Sequence, residues 1–230
     1  NRVGPPAGAG RWSLVAPLLM PAPTPTEAAH AQALQLLDRY GVVTREAVLG
    51  EGVLGGYASV YGVLKVLEER GTVRRGYFVA GLGAAQFALP GAVERLRSMR
   101  HDQPDPEPDT RTAAPLVLAA TDPAQPYGAA IGWPDTPGRP ARSANAVVVL
   151  DEGLPLAWFD RRSHHLVTFP AGLDNPRWAE ALGDLVGTGR EAAVEVRKID
   201  GEAANATEWA ADLLRAAGFT DGYKGLVYRK

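Results

Sequence analysis

Hydrophobic positions in the first hundred residues recur at helical spacing in three places. Thr24-Pro25-Thr26-Glu27 combines a capping-box pair with proline at the first helical position, and it predicts a helix that Gly41 ends. The apolar face of this helix is expected to contain Ala31, Leu34 and Leu37. A short second helix is predicted from Thr44. The third pattern is the clearest, since its apolar residues recur at i, i+3, i+4, i+7 and i+10 before Gly71: Tyr57, Val60, Tyr61, Leu64 and Leu67.

A hairpin pattern follows the third helix. Residues 73–78 and 84–89 predict two strands, and Gly81 and Gly83 lie in the turn between them. A further helix is expected near residues 91–100, with arginines at 95, 97 and 100. Three helices followed by a hairpin are typical of a winged helix, so this half is predicted to be one.

The second half of the chain alternates predicted strands and helices. Strands are expected at 115–120, 146–150, 154–159, 164–169, 192–198 and 225–229, and helices at 176–186 and 206–217. The acidic turn Asp151-Glu152-Gly153 joins two of these strands as a hairpin. The fold class is therefore predicted as α+β: a winged helix followed by a β-rich domain, either a small antiparallel sheet or a partly open barrel, with flanking helices.

Composition limits the classes of protein that fit these elements. The chain has 230 residues, of which 46% are hydrophobic and 22% charged, as in ordinary globular proteins. The absence of any apolar run of about 18 residues argues against a membrane partner. The sequence has no cysteine, which excludes disulfides, thiolate zinc sites and a cysteine nucleophile, and it favours a cytoplasmic location.

The net charge of −2 conceals two halves of opposite sign. Residues 1–100 carry 11 Lys and Arg against 7 Asp and Glu, a net of +4, whereas residues 101–230 carry 13 against 19, a net of −6. The sign changes in a segment of alternating prolines and acids, which is typical of an extended linker. The predicted divisions are an extended segment 1–23, a winged-helix domain 24–100, a linker 101–114 and a β-rich domain 115–230.

Several basic and aromatic side chains are candidates for nucleic-acid contact. Arg74 and Arg75 lie on the predicted wing and suit phosphates, and Tyr77 beside them can stack on a base. Lys65 is the only basic residue within the third helix, so we expect little reading of base sequence. Trp12 can stack on a single-stranded base or can anchor the N-terminal segment. Charge alone leaves open that the wing arginines are a solvated surface of a protein-packing module.

Motifs for catalysis, cofactors and metals are absent from the sequence. It lacks the phosphate-binding loop of ATPases and the serine-hydrolase elbow, and no catalytic, cofactor or metal residue is predicted. His164 and His165 are adjacent in a predicted strand and face opposite ways, so they cannot share one metal. Arg161 and Arg162 are a basic pair that either contacts phosphate or is solvated. Asp122 can be a catalytic carboxylate, although an aspartate before proline usually bonds its own turn.

Four stretches of the chain resemble one family. They are Arg39–Ala47, Arg75–Ala92 with its Gly-Tyr-Phe and Phe-Ala-Leu-Pro-Gly runs, Ala119–Gly128, and Leu214–Phe219. The chain is similar over nearly its whole length, from Gly10 onward, to the region C-terminal to the motor domains in large helicase-related (Lhr) proteins, a bacterial family of DNA helicases. The resemblance implies a winged helix and a β-rich module laid out as in AlkZ-type DNA glycosylases.

The resemblance also implies a function. Lhr proteins couple ATP hydrolysis to 3′-to-5′ movement on DNA and act in DNA repair, so the chain is expected to guide single-stranded DNA or an RNA:DNA hybrid for motor domains of the same polypeptide. ATP and Mg²⁺ would serve those motor domains, whose residues have no counterpart here. The alternatives are a glycosylase-like activity, with Asp122 and Gln86 as candidate pocket residues, or a structural module that contacts only protein.

Overall fold

The computed structural model describes residues 12–99 and 114–229, and these form two compact units. The first comprises residues 12–98 except for 49–51, and the second comprises 49–51, 99 and 114–229. The segment 1–11, most of the predicted linker, and Arg100 of the last predicted helix of the first half lie outside the described residues.

The first unit contains four α-helices and three short strands among its described residues. After a 3₁₀ turn at Ala16–Leu19, the elements in chain order are α1 (Pro25–Tyr40), β1 (Val42–Val43), α2 (Arg45–Gly50), α3 (Gly56–Glu69), β2 (Arg74–Gly76), β3 (Gln86–Ala88) and α4 (Pro90–Ser98). This is the winged-helix order that the sequence predicts.

Local side-chain signals start the first two helices. The Thr24 hydroxyl accepts a bond from the Glu27 amide while the Glu27 carboxylate accepts one from the Thr24 amide, a complete capping box. The Thr44 hydroxyl caps α2 in the same way by accepting from the Ala47 amide at 3.0 Å. The predicted apolar face of α1 was wrong in part, because Ala31 and Leu34 are exposed, Leu34 at 42%. Leu37 is buried as predicted, together with Ala33 and Leu36.

The three strands form one antiparallel sheet in the order β1-β3-β2. Sequence patterns did not find β1, because two valines after a helix-ending glycine carry no strand periodicity. Its pairing of Val42 with Ala88 and Val43 with Phe87 makes β3 the central strand. All three residues of β3 are buried, and Phe87 packs into a core that α1 and α3 supply with Leu36, Leu37, Val60, Leu64 and Leu67.

The second unit has a six-stranded sheet and a three-stranded sheet. The elements in chain order are β4 (Leu116–Ala119), β5 (Ala146–Asp151), β6 (Leu154–Asp160), β7 (His165–Thr168), α5 (Pro170–Asp174), α6 (Trp178–Gly187), β8 (Ala193–Val196), β9 (Lys198–Ile199), β10 (Glu202–Ala203), α7 (Glu208–Ala216), β11 (Thr220–Asp221) and β12 (Leu226–Arg229). The larger sheet has the order β10-β9-β7-β6-β5-β4 and the smaller β11-β12-β8.

Both faces of the larger sheet are buried, which explains the continuous apolar run of β5. Val147 and Val149 face a core shared with α6 and α7, whereas Val148 and Leu150 face a second cluster with Trp158 and Phe169. The irregular segment 120–145 contributes Tyr127 and Trp133 to that second cluster. Glu152 and Gly153 close the β5–β6 hairpin with positive φ angles of 49° and 84°, as a type I′ turn requires.

The sheets are open, which decides between the two predicted forms of the β-rich domain. The α+β class is confirmed, and the barrel alternative is wrong because the strands form two open sheets. The larger sheet is also mixed, since β7 pairs with β9 in parallel.

Sequence patterns missed α5, a short helix that starts at a proline and contains Gly172. A Cβ at Gly172 would lie 2.0 Å from the Leu156 carbonyl oxygen, so only glycine allows this helix to lie against β6.

Candidate nucleic-acid interface

The candidate interface lies on the wing, which we define as β2, β3 and the connecting residues 77–85. Ladder bonds join the two strands over only three residue pairs, Arg74 to Ala88, Arg75 to Phe87 and Gly76 to Gln86. Backbone pairing therefore does not organise the nine connecting residues. Side chains organise them instead.

Gln86 holds the connecting segment from inside. Its side-chain oxygen accepts bonds from the Phe78 and Val79 amides, both at 2.8 Å. Its side-chain nitrogen donates to the Val79 and Leu82 carbonyls at 3.1 and 3.3 Å. The residue is fully buried, at 0% exposure. Two acceptor sites and two donors are used, which is the full capacity of the amide, so Gln86 has no group left to bind a base.

Tyr57, in the first turn of α3, anchors the return strand of the wing. Its hydroxyl donates to the Ala85 carbonyl, and its ring packs against Tyr61, which in turn contacts Phe87 edge-on. Burial raises the pKa of Tyr57 to about 12, because the phenolate would lose hydration there, and Tyr61 and Glu46 contribute to the rise. This bond joins α3 to the wing, and it requires the neutral phenol because a phenolate has no proton to donate.

The two wing arginines differ in what surrounds them. Neighbouring strand residues face opposite sides of a sheet. Arg74 lies 3.3 Å from the Glu94 carboxylate of α4, and both side chains are 55% exposed. Arg75 is exposed, acts electrostatically on Tyr57, and forms no ion pair with another described residue. Arg75 is therefore the wing arginine whose charge is not already offset by a carboxylate.

The two candidate aromatic residues are both exposed. Tyr77 follows β2 and is 84% exposed, a large surface for an aromatic ring of a folded domain. Trp12 is 76% exposed, in a segment whose other large side chains are also exposed: Leu14, Val15, Leu18, Leu19 and Met20. This exposure is compatible with stacking on a base and with anchoring of the N-terminal segment, so both interpretations of Trp12 stay predictions.

One face of α3 consists mostly of small and apolar side chains. Together with the start of α1 and the capping residue Arg70 it borders an open groove of 630 Å³, to which α3 contributes Ala58, Ser59, Gly62, Val63 and Val66. Lys65 is exposed on the same helix, near the acidic residues Glu68 and Glu69. No Asn or Gln lies on this helix to read base edges. α3 therefore exposes few side chains suited to nucleic-acid contact, and the wing exposes more.

The second basic candidate, the Arg161–Arg162 pair, lies in the other unit. Arg161 donates to the Glu191 carboxylate at 2.6 Å and to the carbonyls of Ala144 and Asn145, both at 2.9 Å. Its guanidinium fastens a loop to the end of β6. Arg162 is exposed, and its backbone amide donates to the Asp160 carboxylate. Arg161 is thus paired with Glu191, whereas Arg162 forms no ion pair with another described residue.

The candidate catalytic and metal-binding groups are held in structural roles. The Asp122 carboxylate accepts from the Ala124 amide at 2.8 Å, an Asx turn before Pro123. His164 contacts the Glu195 carbonyl, and His165 accepts from the Gly201 amide, so the two imidazoles do not converge. Within residues 12–99 and 114–229, His, Asp and Glu do not cluster as a metal site requires, and the helices described there are too short or too polar to cross a membrane.

Comparisons with known proteins agree with this geometry. Residues 22–108 match the family described as the large helicase-related protein, winged-helix domain. Over 204 residues the chain is 48% identical to the "Lhr helicase/probable uracil glycosylase" of Mycolicibacterium smegmatis, covering 86% of this chain and 13% of that protein. Over 149 residues it is 40% identical to the "Lhr helicase/uracil glycosylase" of Escherichia coli, covering 63% of this chain and 9% of that protein. The chain therefore spans a small part of each relative.

The Tyr57 bond predicts a pH dependence of stability. The folded pKa of about 12 lies above the ordinary value of 10, so the stabilisation is complete below pH 10 and is lost as the pH rises toward 12. Tyr57→Phe should lower the free energy of unfolding at pH 7 by about 1 kcal/mol and reduce its further loss between pH 10 and pH 12. Urea unfolding at several pH values measures both effects. Tyr223→Phe is the control, because Tyr223 is 98% exposed. An equal alkaline loss in the Tyr57→Phe chain would contradict the assignment.

Proposed function

We propose that this chain, whose residues 22–108 belong to the winged-helix family of large helicase-related proteins, is a nucleic-acid-binding accessory module of a DNA helicase. The wing is the part that carries the proposal. It presents the exposed ring of Tyr77 two residues from Arg75, whose guanidinium forms no ion pair with another described residue. The buried Gln86 side chain bonds the backbone of the segment that follows Tyr77. A cation for phosphate beside an aromatic ring for a base is the usual pairing in single-strand binding.

The same geometry favours binding without sequence preference. Reading base edges usually relies on Arg, Asn and Gln side chains in the major groove, and α3 contains none of these residue types. Stacking and phosphate contact are tolerant of sequence. The module therefore guides single-stranded DNA, or the DNA strand of an RNA:DNA hybrid, while motor domains of the same polypeptide bind ATP and Mg²⁺ and supply the movement. A role in DNA repair follows from the helicase that it serves.

This proposal predicts a measurable salt dependence. The chain should bind an oligothymidylate weakly, with affinity falling as salt rises, because phosphate contacts release counterions. Arg75→Ala should reduce the magnitude of the slope of log affinity against log salt by about 0.7, the value of one contact to a single strand. Arg74→Ala should change it less, since Glu94 already offsets that charge. Fluorescence anisotropy at several salt concentrations measures these slopes.

The matched control is Arg139→Ala, which removes one exposed arginine from the second unit. It should leave the slope within error of the unchanged chain. The proposal fails if the chain does not bind at low salt, or if Arg139→Ala lowers the slope as much as Arg75→Ala does.

A second candidate function is base excision, because the names of both relatives include a uracil glycosylase. Such an enzyme flips a base into a pocket and needs a polar group there. Of the candidate groups, Gln86 is saturated by the wing and the Asp122 carboxylate bonds its own turn. The second carboxylate oxygen of Asp122 has no recorded partner among the described residues and is the better candidate to test.

Incubation with a uracil-containing oligonucleotide, followed by alkali, tests this activity directly. If the chain excises uracil through Asp122, strand cleavage should appear and Asp122→Asn should abolish it. Asp135→Asn, which removes another carboxylate of the same irregular segment, should leave the cleavage unchanged. Intact strands with the unchanged chain would exclude excision by this segment alone.

A further inference from the structure

We infer that Gln86 and Tyr57 are positioning residues for nucleic-acid binding, which hold the wing in a strained shape that presents Tyr77 and Arg75 to a single strand. The inference rests on the proposed function and extends it from the residues that touch nucleic acid to two that do not. Neither positioning residue is exposed: Gln86 is buried and Tyr57 is half-buried. The polar group of each side chain bonds the wing backbone.

The four bonds of Gln86 fix the outgoing side of the connecting segment. They fasten Val79 through both its amide and its carbonyl, together with the Phe78 amide directly after Tyr77. A segment of nine residues without such bonds would sample many conformations, and a ligand that ordered it would bind at the cost of that backbone entropy. With the bonds in place that cost is met in folding, so the exposed ring of Tyr77 is preorganised for binding.

Strain on the returning side supports the same conclusion. Ala84 has a φ angle of +64°, in the left-handed region that disfavours residues with a side chain. Tyr57 fixes the carbonyl of the next residue, Ala85, and Gln86 follows it directly. Alanine there has no polar group with which to stabilise the unusual conformation. The strain persists because the neighbouring anchors impose it, a situation typical of functional loops.

The strain separates a positioning role from a purely structural one. Ala84→Gly removes the penalty of the left-handed conformation, so it should leave the folded state as stable or more stable. The same change lets the wing adopt other conformations and should weaken binding. If the shape of the wing served stability alone, the affinity for a single strand would follow the stability of the chain. The positioning role predicts that affinity and stability move in opposite directions.

The experiment uses the whole chain and an oligothymidylate, with affinity from anisotropy and stability from the thermal unfolding midpoint. Ala84→Gly should keep or raise the midpoint and reduce the affinity about three- to tenfold. Gln86→Glu still accepts from the two amides but cannot donate to the Val79 and Leu82 carbonyls, and it should also weaken binding. Its loss of affinity should shrink when Tyr77→Ala is already present, because the wing then has no ring to position. Ala124→Gly, the same change at an exposed alanine of the second unit, is the control.

The outcomes distinguish the inference from the function beneath it. If the unchanged chain does not bind the oligonucleotide, both fail. If it binds and Ala84→Gly, Gln86→Glu and Tyr57→Phe all retain full affinity, only the positioning inference fails. Should Gln86→Glu fail to fold, Tyr57→Phe decides, since it removes only the hydroxyl that bonds the Ala85 carbonyl.

Discussion

The burial of β3 is the constraint on which the winged-helix unit depends. This strand of three residues has no exposed member, and it pairs with β1 on one side and β2 on the other. Phe87 directs its ring into the helical core, and Gln86 directs its amide into the wing. A single short segment therefore joins the packing of α1 and α3 to the shape of the loop beyond the sheet. Loss of order in β3 would affect both.

The division of labour within the unit follows from that arrangement. In a winged helix the third helix usually enters a groove and the hairpin contacts the backbone. Here the face of α3 that borders an open groove is mostly small and apolar, whereas the wing holds the exposed Tyr77 and Arg75, which pairs with no carboxylate among the described residues. The geometry thus favours the wing for nucleic acid and leaves the α3 face suited to packing against protein. A net charge of +4 over residues 1–100 is consistent with either use, because it does not say where the charges lie.

Elements that depend on neighbouring residues could be predicted from the sequence, and those that depend on distant ones could not. The capping box of Thr24 and Glu27 and the turn at Glu152 and Gly153 involve residues at most three apart. By contrast, β1 exists because Val43 pairs with Phe87. Similarly, the Arg74 charge is offset by Glu94, twenty positions later.

The candidate site shows the same limit more sharply. From the sequence alone, Gln86 is a candidate pocket residue for a glycosylase-like activity. Its actual partners are four backbone groups that only the folded wing brings within reach. Conversely, Tyr77 lies on the predicted wing beside Arg75, so it could be named from the sequence as a contact. The residues proposed to touch nucleic acid could thus be named from the sequence, but the residues that hold the wing could not.

The most direct test of the account is a map of the amides that respond to a single strand. The ¹⁵N-labelled whole chain would be titrated with an oligothymidylate at low salt, and the amide shifts followed by NMR. The account predicts that the largest shifts fall on residues 74–85, around Arg75 and Tyr77, with little change at Ala58, Gly62 and Val66 on α3. Shifts concentrated on the α3 face, with the wing unchanged, would contradict it.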